Sequence, residues 1–129
     1  MNYVKSFRDL EIYKLSKELA IEIFEITKSF PKEEKYSLTD QIRRSSRSVG
    51  AQIAEAWGKR DYIKHFESKL TDADGEQLET QHWVDTSFCC NYITKDKADS
   101  LIERYETLGK KIGSTIANSS KFCGKRKRN

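Results

Sequence analysis

The chain has 129 residues, 34% of them charged and 36% hydrophobic, with a formal net charge of +4. That is enough for one domain with one core. It excludes a membrane-spanning helix, which needs about 20 apolar residues in a row. The segment MNYVKSFRDL lacks the apolar centre of a signal peptide, so the expected location is the cytoplasm, with no membrane partner.

The +4 is unevenly distributed. Residues 1–64 carry 13 Lys/Arg against 10 Asp/Glu, residues 65–120 carry 6 against 10, and residues 121–129 carry 5 against none. The body is close to neutral, and the end of the chain supplies the excess. Such a balance argues for local basic surfaces rather than a uniformly basic protein.

One proline and six glycines leave few interruptions, so long helices are expected. Ser6 to Asp9 reads as a capping box, and Ile12, Tyr13, Ser16, Leu19, Ala20, Ile23, Phe24 and Thr27 recur at threes and fours. This predicts a helix over about 7–29, ended by Phe30-Pro31. Ser37 can cap a second helix over about 38–57, with an inward stripe of Leu38, Ile42, Ser45 or Ser46, Val49, Ile53 and Ala56. Small residues in that stripe permit a close neighbour. Gly50 inside the helix costs about 1 kcal/mol relative to alanine, which a close helix contact would offset.

Gly58 marks a break and Asp61 a new start, giving a third helix over about 61–90. Phe66, Leu70, Ala73, Val84 and Phe88 are its expected core residues. For about two turns the stripe is interrupted by polar side chains, which must face solvent or meet polar groups of another helix or subunit. Asn91-Tyr92-Ile93 reads as a turn. Thr94 caps a fourth helix over about 95–117 with a seam of Ala98, Leu101, Tyr105, Leu108, Ile112 and Thr115. The expected fold is all-α, an antiparallel up-down-up-down four-helix bundle spanning 1–118, with a basic, disordered tail over 119–129.

No nucleophile elbow, P-loop, dinucleotide turn or Cys-His dyad occurs, so a non-enzymatic role is expected. Cys89, Cys90 and Cys123 lack metal-ligand spacing and read as small hydrophobes. Glu79-x-x-His82 has the spacing found in di-iron bundles, but such a site needs two copies, and His65 has no glutamate three residues before it. No metal or cofactor is expected.

Two charged sets remain. Arg43, Arg44 and Arg47, followed by Lys59, Arg60 and Lys64, could contact the phosphate backbone of RNA or DNA, or could form a salt-bridged helix face. Lys125, Arg126, Lys127 and Arg128 could act as an electrostatic arm or as a solubilising end. Asp72, Glu76 and Glu79 share a helix face and repel one another unless compensated. Solvent, a divalent cation or the arginines could compensate them, the last within the chain or across a polar interface. Tyr62 and Phe66 could stack bases, but a spacing of four on a helix favours a core assignment.

The order of motifs adds a resemblance. FRDLEIYKLS, FPKEEKYSLTDQIRRSSRSV, QIAEAWGKR and KLTDADGEQLETQHWVD follow one another over about residues 5–116. Together they resemble the four-helix-bundle family encoded by intervening sequences of bacterial 23S rRNA genes. Leu38, Gln41, Ile42, Arg43, Arg44, Ser48, Val49, Ile53, Ala54 and Glu55 match the family's second-helix pattern, while Gln52 stands where asparagine is usual and Ala56 where glycine is usual. Asp72, Ala73, Asp74, Glu76, Glu79, Thr80, Gln81, Trp83 and Asp85 match its third-helix pattern. The resemblance implies bundles arranged in a five-fold ring, a homopentamer. It also implies kinship with the accessory variability proteins of diversity-generating retroelements, which bind nucleic acid and a reverse transcriptase. The expectation is an oligomeric bundle that associates with RNA or DNA through backbone contacts. The alternative is a protein–protein scaffold in which the arginines pair with Asp72, Glu76 or Glu79.

Overall fold

The computed structural model describes residues 4–124. These residues form four α-helices and no strand: α1 (Glu11–Thr27), α2 (Leu38–Gly58), α3 (Ile63–Cys89) and α4 (Lys95–Ala117). Three short 3-10 turns lie at Phe7–Asp9, Lys32–Glu34 and Ser119–Lys121. α1 and α3 each border α2 and α4. No helix among the described residues is long and apolar enough to cross a membrane.

The first helix starts later than its periodicity suggests. The capping box at Ser6 and Asp9 is present, but it closes only a 3-10 turn. Leu10 is extended (ψ 132°) and buried, so the chain bends there to place Leu10 in the core before α1 begins. Phe7 meets Tyr13 edge-on at 4.8 Å across that bend. Between α3 and α4, Asn91 turns with φ 63°, a left-handed conformation that asparagine tolerates better than most residues.

The core is the set of inward stripes. Leu19 and Ile23 meet Ile42, Val49 and Ile53 of α2, Phe66, Leu70 and Val84 of α3, and Leu101, Tyr105, Leu108 and Ile112 of α4. The interrupted stretch of α3 does not turn to solvent. Gln77 is 3% exposed and Thr80 fully buried, and they continue the stripe between Ala73 and Val84. Thr80 Oγ1 hydrogen bonds to Ser45 Oγ of α2 at 2.8 Å and lies 2.9 Å from the Glu76 carbonyl. Gln77 Nε2 donates to Asp74 at 3.0 Å, and its Oε1 accepts from Gln81 at 2.8 Å. Thus Thr80 and Gln77 are partnered within the bundle, which is what makes their burial tolerable.

Two glycines are used for close approach. A Cβ on Gly50 would lie 3.3 Å from Ser16 Oγ and 3.6 Å from the Tyr13 ring, which shows how tightly α2 sits on α1. A Cβ on Gly109 would lie 2.6 Å from Gln77 Nε2, so the buried amide as placed lies directly under position 109 and a side chain there would make it shift.

Two expectations are corrected. Phe88 is 39% exposed, and Ser87 holds the inward position instead, its hydroxyl donating to the Trp83 carbonyl at 2.8 Å. The phase set by Thr80 and Val84 reaches 87 rather than 88. Residues 119–124 are also not a disordered tail. Ser119 is buried and donates to Glu67 at 2.6 Å, and Phe122 stacks on Phe66 with centroids 6.2 Å apart. An aromatic surface at the start of α3 holds this segment down. Lys125, Arg126, Lys127 and Arg128 lie outside the described residues.

Ion pairs tie α1 to α4. Glu22 accepts from both terminal nitrogens of Arg104 (2.7 and 2.8 Å) and from Lys97 (3.1 Å), and Lys111 reaches Glu11 at 3.3 Å. The Arg104 hydrogen bond, joined by Lys97, pulls the Glu22 carboxyl from 4.5 down to about 2. A carboxyl with a depressed folded-state pKa stabilises above its unfolded value and loses that contribution as pH falls toward the folded one. Glu22→Gln should therefore lower stability by about 1–2 kcal/mol at pH 7, allowing for partial solvent screening. In thermal melts, the gap between wild type and variant should close as pH drops from about 4.5 to about 2. A gap independent of pH would contradict the assignment.

Candidate functional site

The three arginines of α2 leave the helix in different directions. Arg43 turns to α1. Its Nε donates to the buried Thr27 hydroxyl at 2.7 Å, a terminal nitrogen lies 3.5 Å from the Phe24 carbonyl, and the guanidinium sits 4.7 Å from the Phe24 ring centroid. These contacts satisfy the end of α1 and place a cation at its negative pole.

Arg44 turns to α3, one residue later and about 100° around the helix. It pairs with Glu79 and, at 3.4 Å, with Glu76. Trp83 Nε1 donates to the same Glu79 oxygen at 3.0 Å. The Trp83 hydrogen bond first and Arg44 second hold the Glu79 carboxyl below its ordinary value, while Glu79 raises Arg44. Glu79 is thus committed to α2, and His82 lies exposed, packed edge-on against Trp83 at 4.6 Å. Among the described residues no cluster of three or more His, Cys, Asp or Glu is arranged to hold a metal ion. Asp72 is exposed and does not share the arginine pairing. The nearby cation is Lys69, which bonds Glu55 at 2.8 Å and Gln52 at 3.0 Å.

Arg47 is exposed, with its guanidinium 5.4 Å from the Phe24 ring centroid. It stands at the rim of a groove of about 340 Å³ between α1 and α2. The groove is floored by Tyr13, Ala20, Phe24, Gly50, Ala51 and Ala54, with Ile21 and Lys17 on its α1 side. Sequence reasoning did not identify this groove. Its signals were the small residues of α2 and the position of Ile21, which is out of phase with Leu19 and Ile23.

Lys59 is exposed at the end of α2. Arg60 folds back, donating to the Trp57 carbonyl at 2.8 Å with its guanidinium 4.0 Å from the Trp57 ring centroid, so it caps α2. Lys64 is exposed on the first turn of α3. Because Ser119 and Phe122 dock on Glu67 and Phe66, the exposed Lys121 arrives at this same end. Cys123 follows, half-buried and within electrostatic reach of Arg60, Asp61 and Glu67; burial pushes its thiol up. The sequence-predicted basic residues therefore split into two that bond to neighbouring helices (Arg43 to α1 and Arg44, on the surface, to α3), one on a groove (Arg47) and a group at the α2–α3 junction (Lys59 and Arg60).

A double-mutant cycle on Arg44→Ala and Glu79→Ala should give a coupling of about 0.5–1 kcal/mol in low salt that shrinks as salt is added. Urea unfolding of the four proteins measures it. A coupling of zero in low salt would mean that α3 does not hold Arg44.

With this geometry, the similarities of the chain can be stated. The profile of the family described as 23S rRNA-intervening sequence protein matches residues 8–114. The crystal structure, at 1.70 Å, of a protein with unknown function from the S23 ribosomal protein family of Bacteroides thetaiotaomicron VPI-5482 superposes with a TM-score of 0.74. The two are 30% identical, over 82% of this chain and 95% of that one. No curated protein matches the chain. The family match spans most of α1 through α4, including the arginine helix and its acidic partner, and the chain belongs to the 23S rRNA-intervening sequence protein family.

Proposed function

We propose that this protein is a non-enzymatic helical-bundle subunit that associates with RNA or DNA by phosphate-backbone contacts at the end of the bundle built from the α2–α3 junction and the C-terminal turn. The observation that carries the proposal is the docking of Phe122 on Phe66, which brings Lys121 to the junction that presents Lys59, Arg60 and Lys64. Lys125, Arg126, Lys127 and Arg128 follow in the sequence. Phosphate binding needs exposed cations that can exchange counterions for phosphates. Lys59, Lys64 and Lys121 meet that need, whereas Arg43 and Arg44 are occupied by α1 and α3. The non-enzymatic reading is supported by the same accounting, since Glu76 and Glu79 both pair with Arg44. The pairs Glu11–Lys111 and Glu22–Lys97 run in opposite chain directions, which supports the up-down-up-down antiparallel arrangement.

Titration of labelled RNA at several salt concentrations tests the proposal. Lys59→Glu/Lys64→Glu/Lys121→Glu should weaken binding at least tenfold and reduce the slope of log affinity against log salt by about 2–3. An unchanged slope in the triple variant would overturn the site.

The α1–α2 groove favours a second reading, compatible with the first: the chain assembles with copies of itself. The groove is apolar with a basic rim of Lys17 and Arg47, and the outer face of α3 carries the exposed Leu78 with Asp85 two turns on. A contact between two different faces repeats head to tail, and a ring is its closed form. A homopentamer is the proposed closure. Light scattering should give an oligomer for the wild type and a reduced mass for Ile21→Glu/Arg47→Glu. A monomeric wild type would overturn this reading.

A further inference from the structure

We infer that the α2–α3 junction takes single-stranded nucleic acid, with Tyr62 as the platform on which one unpaired base stacks. The inference rests on the phosphate-binding reading of this end of the bundle and adds the class of strand.

Tyr62 is 62% exposed in a chain whose other junction aromatics are packed. Phe66, four residues on, is 1% exposed and takes the inward position against Phe122, while Tyr62, at the N-cap of α3, stays outside. The Tyr62 backbone is held on both sides. Its N–H donates to the Lys59 carbonyl at 2.9 Å, and its carbonyl accepts from the Phe66 N–H at 3.0 Å. The ring is thus presented from the N-cap of α3, and not from a loose loop. His65 meets it perpendicularly, with centroids 5.9 Å apart and planes at 88°. One perpendicular neighbour restrains a ring and covers at most one of its faces.

Lys59, Arg60 and Lys64 lie within three residues of Tyr62 on either side. This combination of a fixed, open aromatic face with cations for the flanking phosphates is how non-sequence-specific proteins hold single strands. In a duplex the base faces are already stacked on one another, so a paired strand could use the cations but not the ring. The ring therefore adds affinity only for unpaired bases, of any identity, because every base has a π-face.

The test uses the full chain and two labelled probes of equal charge, an oligouridine single strand and a blunt RNA duplex, followed by fluorescence anisotropy. The wild type should prefer the single strand. Tyr62→Ala should lose about 5- to 100-fold for the single strand with an unchanged salt slope, and should leave duplex binding as it was. Tyr62→Trp should keep single-strand affinity, and its added indole emission should be quenched by the oligonucleotide. Thermal melts matching the wild type show that the variants fold, as expected for an exposed ring. Equal binding of both probes, or an equal loss on both for Tyr62→Ala, would overturn the stacking inference and leave the phosphate reading standing. Binding of neither probe would overturn both, and a protein captured through Tyr62 with no nucleic-acid affinity would replace them.

Discussion

A buried hydroxyl contact between Thr80 and Ser45 sets how α2 lies on α3, and much else depends on that register. An apolar seam of small residues can slide by a turn at modest cost. The Thr80–Ser45 bond is made in one register only, and a slip would leave each hydroxyl just the carbonyl of its own helix, Glu76 for Thr80 and Ile42 for Ser45. On the surface beside it, Arg44 meets Glu76 and Glu79 in that same register, and Trp83 restrains Glu79. On the other flank, Gln77 lies under Gly109 of α4. The polar stretch that weakens the apolar stripe of α3 is therefore what aligns it.

This alignment also sorts the arginines. Positions 43 and 47 lie on the α1 side of α2, and position 44 lies on the α3 side. Arg43 closes the end of α1, Arg44 answers the carboxylates of α3, and Arg47 is left beside a groove. A run that looks like one basic patch is three separate electrostatic arrangements. Two of them tie α2 to its neighbours, Arg43 to α1 and Arg44 to α3.

The surfaces left for partners are at different places. The junction of α2 and α3 gathers exposed lysines and an exposed tyrosine, because the chain end returns to it. The α1–α2 groove is apolar with cations at its rim, and its floor exists because Gly50, Ala51 and Ala54 keep α2 thin. The two surfaces share α2 but lie at different places along it, the groove at Gly50, Ala51 and Ala54 and the junction beyond Gly58.

Much of the fold was legible in the sequence. The threes and fours of Leu19 and Ile23, of Val49 and Ile53, and of Leu101, Tyr105, Leu108 and Ile112 define inward faces without reference to any neighbour. The motif order placed the chain in its family for the same reason, since motifs are local. Periodicity describes a helix around its own axis only. It does not say which neighbour a side chain meets, or in what register. The partnering of Arg44 with residues 32 and 35 positions away, the choice of Ser87 over Phe88 and the return of Phe122 to Phe66 are long-range matters. They were decided only when four rigid helices had to satisfy their buried polar groups at once. Tyr62 and Phe66 show the division most plainly. Their spacing of four suggested two core aromatics, but Tyr62 is the extended N-cap of α3 and only Phe66 lies on the helix's inward face, so Tyr62 stays outside.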